Sequence, residues 1–416
     1  MQCSTSETPT VPLPGSHDVL TSVLRQGAQK LLGQAIEAEV EGWLEQHAGH
    51  RDARGHRQVV RNGYLPERTI LSGVGPIEVK QPRVHDRRPK EEREKFCSQI
   101  LPPYLRKTKS VEELIPWLYL KGISTGDFNE ALAALLGPAA KGLSATTVTR
   151  LKGIWQEEYQ QWSRRSLADK RYVYVWADGI HFNIRLENDR QCILVLMGAT
   201  PEGTKEVIAI SEGYRESEQS WLALLLDCQS RGLVLDPELA TADGALGFWK
   251  ALPKVWPKTR GQRCWVHKTV NVLDKLPKGQ QSKAKEMLHA IWMAASRAEA
   301  NQAFDLFLRT WEGKYAKAAD CLAKDREALL VFYDFPAEHW LHIRTTNPIE
   351  SVLATVRLRT CKTKGCGSRV ACETMVFKLM ESAAKGWRKL NGSLLLPEVI
   401  RGVKFVDGEK LTESAA

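Results

Sequence analysis

Apolar and polar side chains alternate in the middle of the chain in a way that predicts a sheet. Residues 171–186 alternate, with three aromatic side chains on one face, and residues 191–200 form a nearly continuous apolar run. Residues 205–214 make a third apolar segment. Period-two alternation and short apolar runs bounded by turn residues are typical of strands. The three segments therefore predict an antiparallel meander with short turns.

After the meander, helical and strand patterns follow one another in turn. A helix pattern that ends at a glycine covers residues 217–232, and a second one covers residues 245–252. Each is followed by a short strand pattern, at residues 238–244 and 259–267. A meander followed by alternating helices and strands is typical of an α/β fold. We therefore predict a mixed sheet flanked by helices.

The segments on either side of this sheet are predicted to be mainly helical. Apolar residues recur at helical spacing over residues 18–46, and residues 266–343 show helical patterns throughout. Residues 69–84 alternate around two glycines, which predicts a hairpin. Three short helix patterns over residues 111–162 fit either a helix-turn-helix, whose third helix enters the DNA major groove, or a plain helical bundle.

These patterns divide the chain into segments. We expect an all-helical insertion to separate the sheet from the C-terminal helices of the same core. The predicted boundaries are 1–16 for a disordered tail, 17–108 for an N-terminal helix with a basic hairpin, 109–168 for a helix-turn-helix-like DNA-binding region, 169–265 for the first part of the core, 266–343 for the helical insertion, 344–405 for the C-terminal helices of the core and 406–416 for a tail.

Positive charge is concentrated in two parts of the chain. The net charge is +10, from 59 Lys and Arg against 49 Asp and Glu. Residues 51–110 hold 15 basic and 7 acidic side chains, and residues 344–389 hold 10 and 3. Such a total alone also fits an ordinary basic protein, but two localised surpluses favour two phosphate-facing surfaces. We therefore predict a nucleic-acid partner.

Cysteine usage and hydropathy bear on the cellular compartment. The chain has nine cysteines without any C-x₂-C pair, and several of them lie inside apolar runs. No apolar stretch reaches the length of a membrane-spanning helix, and no signal-peptide pattern opens the sequence. We therefore expect reduced, mostly buried thiols in a cytoplasmic protein that has no membrane partner.

Two Asp-Gly pairs stand where strands are predicted to end. Asp178 precedes Gly179 and is predicted to close the first strand of the meander, while Asp243 and Gly244 close the strand of residues 238–244. Two-metal phosphoryl transfer needs carboxylate ligands that converge from separate elements. Asp-Gly is also a common turn dipeptide, so either pair alone favours a simple turn.

A third carboxylate, Glu350, begins a predicted helix. Asn347 is a good N-cap, Pro348 suits the first helical position, and Glu350 stands where a capping box has its acid. Taken alone, Glu350 therefore favours a capping role. It follows Asp243 by 107 positions, as Asp243 follows Asp178 by 65, and Arg357 lies two turns further on the same helix. Together the three acids favour a metal site.

Several sequence blocks resemble those of a known family. They are "RNGYLPERTI", "ADGIHFNIR", "TADGALGFWKAL", "QRCWVHK" and "TTNPIESVLATVRLRT". In this order and spacing the chain is similar, from about residue 20 to 405, to the Mutator-type transposases of bacterial insertion sequences. The resemblance implies a ribonuclease-H-like core and an enzyme that cleaves and transfers DNA strands. It also implies terminal inverted repeats and target DNA as partners, a homodimer or higher homo-oligomer on DNA, and a place at the bacterial nucleoid.

The resemblance also implies roles for individual residues. Asp178, Asp243 and Glu350 correspond to a catalytic Asp-Asp-Glu triad that binds two Mg²⁺ ions, with Mn²⁺ as a substitute. Cys264 and His267 match a C-x₂-H element whose role stays open. The predicted DNA contacts in the two basic regions are Arg61, Arg357, Arg359, Lys362 and Lys364. Two rival readings are a non-catalytic DNA-binding protein derived from a transposase and a ribonuclease-H-like nuclease.

Overall fold

The computed structural model describes residues 19–111, 145–182, 191–213, 215–362 and 368–411, together with residues 114 and 118. The chain divides into two compact units, Met1–Val148 and Thr149–Ala416. The N-terminal unit holds the first basic region, and the C-terminal unit holds the five-stranded sheet with all three acids of the predicted triad.

The N-terminal unit combines one long helix with two pairs of strands. Its elements are α1 (Val19–Gln46), β1 (Val59–Tyr64), β2 (Arg68–Ser72), β3 (Gly75–Val79) and β4 (Pro82–Asp86). The predicted helix and the predicted hairpin, β2 with β3, are confirmed. Sequence patterns did not reveal that β1 and β4 also pair. Ile36 of α1 packs on Ile70 and Ile77, so the helix buries its apolar side against the hairpin.

The predicted helix-turn-helix-like region lies largely outside the described residues. Its last helix is described as α2 (Ala145–Ser163), close to the predicted bounds. The C-terminal half of α2 belongs to the second unit, and its Tyr159 hydroxyl donates to the carbonyl oxygen of Ile210 at 2.9 Å. This half of the helix is therefore part of the structural core.

The C-terminal unit is built on a mixed five-stranded sheet. Its strands are β5 (Tyr174–Phe182), β6 (Gln191–Ala199), β7 (Lys205–Gly213), β8 (Leu239–Ala242) and β9 (Arg260–Arg263), in the order β7-β6-β5-β8-β9. The first three strands are antiparallel, and β8 and β9 run parallel to β5. The predicted meander and the predicted mixed sheet are confirmed.

Helices cover both faces of this sheet. One face packs on α3 (Glu218–Ser230) and α4 (Leu246–Val255), through a core that includes Leu194, Leu196, Trp221, Leu225, Ala240 and Ala251. On the other face, the Trp176 indole N–H donates to the carbonyl oxygen of His342 at 2.9 Å, and the Thr241 hydroxyl donates to that of Ile343 at 2.6 Å. The predicted α/β architecture is therefore present.

Residues 265–343 contain helices and no strand, as predicted. This block comprises α5 (Trp265–Leu273), α6 (Lys278–Trp292), α7 (Arg297–Ala323), α8 (Arg326–Leu329) and α9 (Trp340–Ile343), with 3₁₀ turns at Val331–Asp334 and Ala337–His339. It is followed by α10 (Asn347–Lys362), α11 (Arg369–Ala384), a 3₁₀ turn at Ser393–Leu395, α12 (Leu396–Ile400), β10 (Phe405–Val406) and β11 (Glu409–Lys410). Among the described residues, no helix is both long and apolar enough to cross a bilayer.

One strand boundary was predicted wrongly. Asp178 does not close the first strand, because β5 continues through Gly179 to Phe182 and pairs with β6 over its whole length. Asp-Gly is a turn signal only when no neighbouring strand takes up the backbone hydrogen bonds. Here the long-range pairing Gly179 with Leu194 continues the strand. Asp243 does directly follow its strand, as predicted.

Candidate active site

Parallel pairing of β5, β8 and β9 brings the site residues together. The pairing of β5 with β8 ends at Ala177 and Ala242, so Asp178 and Asp243 occupy the next register positions, side by side. Neighbouring strands lie about 4.8 Å apart. Cys264 directly follows β9, and its backbone N–H donates to the carbonyl oxygen of Ala242 at 2.9 Å. Parallel pairing therefore places these three side chains in one row.

Asp178 is buried and one of its oxygens lacks a partner. The residue is 4% exposed, and its Oδ1 accepts a hydrogen bond from the Gly179 N–H at 2.9 Å. Its Oδ2 is buried and has no hydrogen-bond partner among the described residues. Burial raises the pKa of Asp178 to about 6, the positive charge of His267 opposes that rise, and Asp243 adds to it. Such a buried oxygen without a partner in the protein is open to a proton, a water or a cation.

Asp243 is held by its own loop. Its Oδ1 accepts from the Ala245 N–H at 2.8 Å, where the chain turns into α4. Its backbone carbonyl accepts from the indole N–H of Trp249 and from Nη1 of Arg263, each at 2.7 Å. These bonds fix the backbone of Asp243, so the direction of its carboxylate is set before any ligand binds.

Glu350 projects from the first turn of α10. Ile349 and Leu353 bury the opposite side of this turn, and Glu350 is half-buried. The helix begins one residue earlier than predicted, because Asn347 is already helical and the Thr346 carbonyl accepts from the N–H groups of Ile349 and Glu350. The Glu350 carboxylate accepts from the Thr346 hydroxyl. It is therefore anchored by a side chain that precedes the helix.

Cys264, His267 and Glu350 meet at Thr346. Cys264 Sγ accepts from the Thr346 N–H at 3.2 Å and lies 3.2 Å from the Thr346 hydroxyl oxygen, whose proton is donated to Glu350. The His267 Nδ1 lies 3.3 Å from the Thr346 hydroxyl and 3.5 Å from Glu350 Oε1. These ligand atoms lie within 4.8 Å of one another, the spacing of a possible metal site. The backbone N–H donor on the sulfur and the hydroxyl between Cys264, His267 and Glu350 favour a hydrogen-bond network instead.

His267 brings positive charge to the site. Its hydrogen bond with Cys264 raises its pKa to about 9, against an opposing effect of burial, and the negative charges of Glu350 and Asp178 add to the rise. His267 therefore lies beside the Glu350 carboxylate as a positive charge, and the charge of Asp178 also acts on it. Sequence analysis left the role of the C-x₂-H element open, and the structure places it against Glu350.

Glu216 is a further carboxylate near the site that the sequence patterns do not single out, and it lies over Gly179 on the α3 face of the sheet. It lies between β7 and α3, next to the Ser217 N-cap, and resembles any acid at a helix start. Burial raises its pKa to about 7, and the negative charges of Asp243 and Asp178 add to that rise. Its Oε1 lies 3.4 Å from His181 Nε2. No local pattern marks Glu216, because its neighbours are set by tertiary packing.

The five residues that are predicted to contact DNA lie in different structural environments. Arg357 is exposed on α10. Burial raises the pKa of Asp178, and the positive charge of Arg357 opposes that rise. Arg61 makes an ion pair with Glu37 at 2.8 Å and donates to the Tyr64 hydroxyl. The side chains of Arg359 and Lys362, and all of Lys364, lie outside the described residues. DNA contact by these five residues stays a prediction.

Comparison with known proteins decides the family. Residues 11–390 match the family model described as "Transposase, Mutator family". The chain belongs to this family. It is therefore a transposase, an enzyme that cuts and joins DNA, and the resemblance that the sequence blocks indicated is confirmed.

Individual transposases of insertion sequences align over most of the chain. The chain is 51% identical, over 67% of its length and 94% of the relative, to the transposase for IST2 of Acidithiobacillus ferrooxidans. It is 48% identical, over 72% of its length and 93% of the relative, to the transposase for IS6120 of Mycolicibacterium smegmatis. A transposase for ISRM5 of Rhizobium meliloti is 24% identical over 88% of this chain and 89% of its own.

One solved structure also aligns with part of the chain. It is the simian T-cell lymphotropic virus intasome in complex with PP2A regulatory subunit B56 gamma, at 17% identity over 31% of this chain and 50% of that chain. The TM-score is 0.18, which is too low for the alignment to bear on the fold.

Proposed function

We propose that this transposase cleaves and transfers DNA strands at a pair of divalent cations held by Asp178, Asp243 and Glu350. The observation that carries the proposal is the buried Asp178 Oδ2 without a hydrogen-bond partner, beside a second carboxylate. Hard carboxylate oxygens are the ligands that Mg²⁺ prefers, and Mn²⁺ accepts the same set. When bound, the cations would activate an attacking hydroxyl and stabilise charge on the leaving oxygen.

The surrounding residues of the chain have supporting roles in this proposal. Thr346 and His267 hold the Glu350 carboxylate in place. His267 supplies positive charge that partly balances the acids. Arg357, exposed on the same helix as Glu350, would bind a DNA phosphate beside the cations. The basic run that follows would extend this contact.

The sheet topology supports a ribonuclease-H-like core. An antiparallel meander is continued by two strands parallel to its first strand, with Asp178 on the central strand β5 and Asp243 directly after its neighbour β8. Helices on both faces and a helical insertion before α10 complete the arrangement. We infer that the insertion separates the second aspartate from the glutamate without changing the sheet.

The same proposal assigns the DNA partners. The first basic region, residues 51–110, would bind the terminal inverted repeats through phosphate contacts, and Arg61 belongs to it. Two element ends must be cut and joined in one reaction, so we expect a homodimer or higher homo-oligomer on DNA at the nucleoid. Target DNA would occupy the surface next to Arg357.

Replacement of each acid by its amide tests the catalytic assignment. Asp178→Asn, Asp243→Asn and Glu350→Gln should each reduce strand cleavage in Mg²⁺ by roughly 10³-fold or more, because cation binding contributes several kcal/mol to the transition state. Cleavage is measured on labelled duplexes that carry one element end, and end binding by gel shift should persist. Glu218→Gln is the matched control, since Glu218 is an acid of α3 paired with Lys254.

Two outcomes separate the proposal from its rivals. Cleavage at the unmodified rate in any of the three amide variants would remove that residue from the triad. A joined product, in which the freed 3′ end is attached to target DNA, distinguishes a transposase from a nuclease that only cuts. Gel-shifted complexes without any cleavage by the unmodified protein would favour a non-catalytic DNA-binding protein.

A further inference from the structure

Three side chains of metal-ligating types meet on the α3 face of the sheet, near the end of β5. His181 of β5 and Cys192 of β6 lie directly opposite each other in the antiparallel register. Glu216 comes from the segment between β7 and α3, and its Oε1 lies 3.4 Å from Nε2 of His181. One donor atom from each of the three side chains lies within 4.8 Å of the other two. Three separate elements therefore supply one cluster.

This cluster lies on the opposite face of the sheet from Asp178. Successive side chains of a strand point to opposite faces, so His181 shares the face of Gly179 and not that of Asp178. Cys192 belongs to the core that the sheet forms with α3 and α4. Glu216 covers Gly179, where an added Cβ would lie 2.6 Å from its Oε1. The cluster is therefore separate from the carboxylates of the proposed active site.

The cluster is closed towards the core and open towards solvent. Cys192 is fully buried, the Glu216 side chain is 16% exposed, and the His181 side chain is 44% exposed. An ion can therefore reach the thiol along the side of the imidazole. Three protein ligands with one position left for water are the usual composition of an open zinc site.

The types of ligand select the ion. Thiolate and imidazole favour Zn²⁺, whereas Mg²⁺ and Mn²⁺ prefer oxygen ligands. Tetrahedral zinc, with bonds of about 2.0–2.3 Å, holds its ligand atoms about 3.3–3.8 Å apart. The separation of 3.4 Å between His181 and Glu216 already matches this spacing. An ion pair alone contributes little at a partly exposed position, and it does not require a cysteine opposite the histidine.

We propose that His181, Cys192 and Glu216 bind one Zn²⁺ ion, with solvent as the fourth ligand. The inference does not depend on the proposed function, since none of these residues belongs to the proposed triad. When bound, the ion would link β5, β6 and the segment before α3. It would therefore stabilise the part of the sheet that carries Asp178 on its other face.

Titration of the full-length protein with Co²⁺, after removal of metals with EDTA, tests the proposal. Co²⁺ occupies zinc sites, and its bond to a thiolate gives a charge-transfer band in the near ultraviolet. We expect one Co²⁺ ion per chain with this band, and Zn²⁺ should displace it. Carboxylate ligands give no such band, so Asp178→Asn should keep it.

Two variants remove ligands that are not fully buried. His181→Gln and Glu216→Gln should each weaken the binding of the band-forming Co²⁺ ion by more than about 10- to 100-fold, because changes in groups that only support a metal site already cost that much. Glu218→Gln is the matched control, two residues away and paired with Lys254, and should bind Co²⁺ like the unmodified protein. Unchanged affinity in His181→Gln and Glu216→Gln would overturn the proposal.

Cysteine variants identify the sulfur. Cys192→Ala should abolish the band, and Cys228→Ala, buried in the same core, is the matched control that should keep it. Cys264→Ala should also keep the band. Because Cys264, His267 and Glu350 form the other cluster with metal-ligand spacing, a band lost in Cys264→Ala and kept in Cys192→Ala would overturn the proposal. The absence of any thiolate band in the unmodified protein would overturn it as well.

Thermal unfolding gives a second readout that does not depend on Cys192. Zn²⁺ at about 100 times its dissociation constant should raise the unfolding temperature of the unmodified protein by about 5 °C. The rise should be smaller in His181→Gln, whose replaced side chain is partly exposed and whose fold is therefore retained. Equal rises in the two proteins would contradict a zinc ion at His181.

Discussion

Thr346 links the C-x₂-H element to the glutamate of the proposed triad. Its side chain is fully buried, its hydroxyl is in hydrogen-bond range of Cys264, His267 and Glu350, and its carbonyl caps α10. Sequence analysis assigned the capping role to Asn347. Nothing local in "TTNP" shows that the threonine contacts a cysteine 82 positions earlier. Such a contact becomes visible only when β9 and α10 are placed together.

Removal of the Thr346 hydroxyl should lower activity more than stability. In Thr346→Val the shape is kept, but Glu350 loses its anchor, so single-turnover cleavage should fall by about 10- to 100-fold. The free energy of unfolding should fall by about 1 kcal/mol, the usual worth of a hydrogen bond. Thr346→Ser keeps the hydroxyl and should retain most activity. An active Thr346→Val protein would contradict the anchoring role.

Helix α4 approaches the segment before α3 closely, and glycine makes this approach possible. Gly247, in the first turn of α4, is buried and faces the Glu216 backbone. The pattern "GALGFWKAL" predicted the helix correctly, because its apolar spacing is local. Gly247 is the second residue of α4. The reason for a glycine there is not local, because it depends on a segment about 30 residues earlier in the chain.

Gly247→Ala should therefore destabilise the C-terminal unit. The added methyl group meets backbone atoms that cannot rotate away, and the expected loss is about 1–3 kcal/mol of unfolding free energy. Gly153→Ala, in the exposed interior of α2 where a Cβ has no atom within 4 Å, should instead add up to about 1 kcal/mol. Urea unfolding followed by circular dichroism measures both. Equal effects of the two changes would disprove the close approach.

At the scale of elements, periodicity was a good guide where packing is simple. The meander, the helical block and the β2–β3 hairpin were predicted because each side chain pattern reports one buried face. The extension of β5 past Asp178 and the pairing of β1 with β4 were not, because both depend on partners elsewhere in the chain. Local signals therefore located the elements better than their ends.

In the whole molecule, the sheet topology brings together acids that are far apart in the sequence. Parallel pairing of β5 and β8 sets Asp178 beside Asp243, and the contact of α10 with the central strand brings Glu350 to the same face. The triad could be proposed from order and spacing. The position of Glu216 could not be predicted from the sequence, because it depends on Gly179 and Gly247 together.

The proposed chemistry depends on cation binding, which is measured by titration of the protein with Mn²⁺ in complex with an uncleavable end duplex. Electron paramagnetic resonance of free Mn²⁺ counts the bound ions per chain. We predict two ions for the unmodified protein and for Glu218→Gln, and fewer in Asp178→Asn, whose amide cannot replace the buried carboxylate oxygen. The same number of bound ions in Asp178→Asn and the unmodified protein would contradict the account.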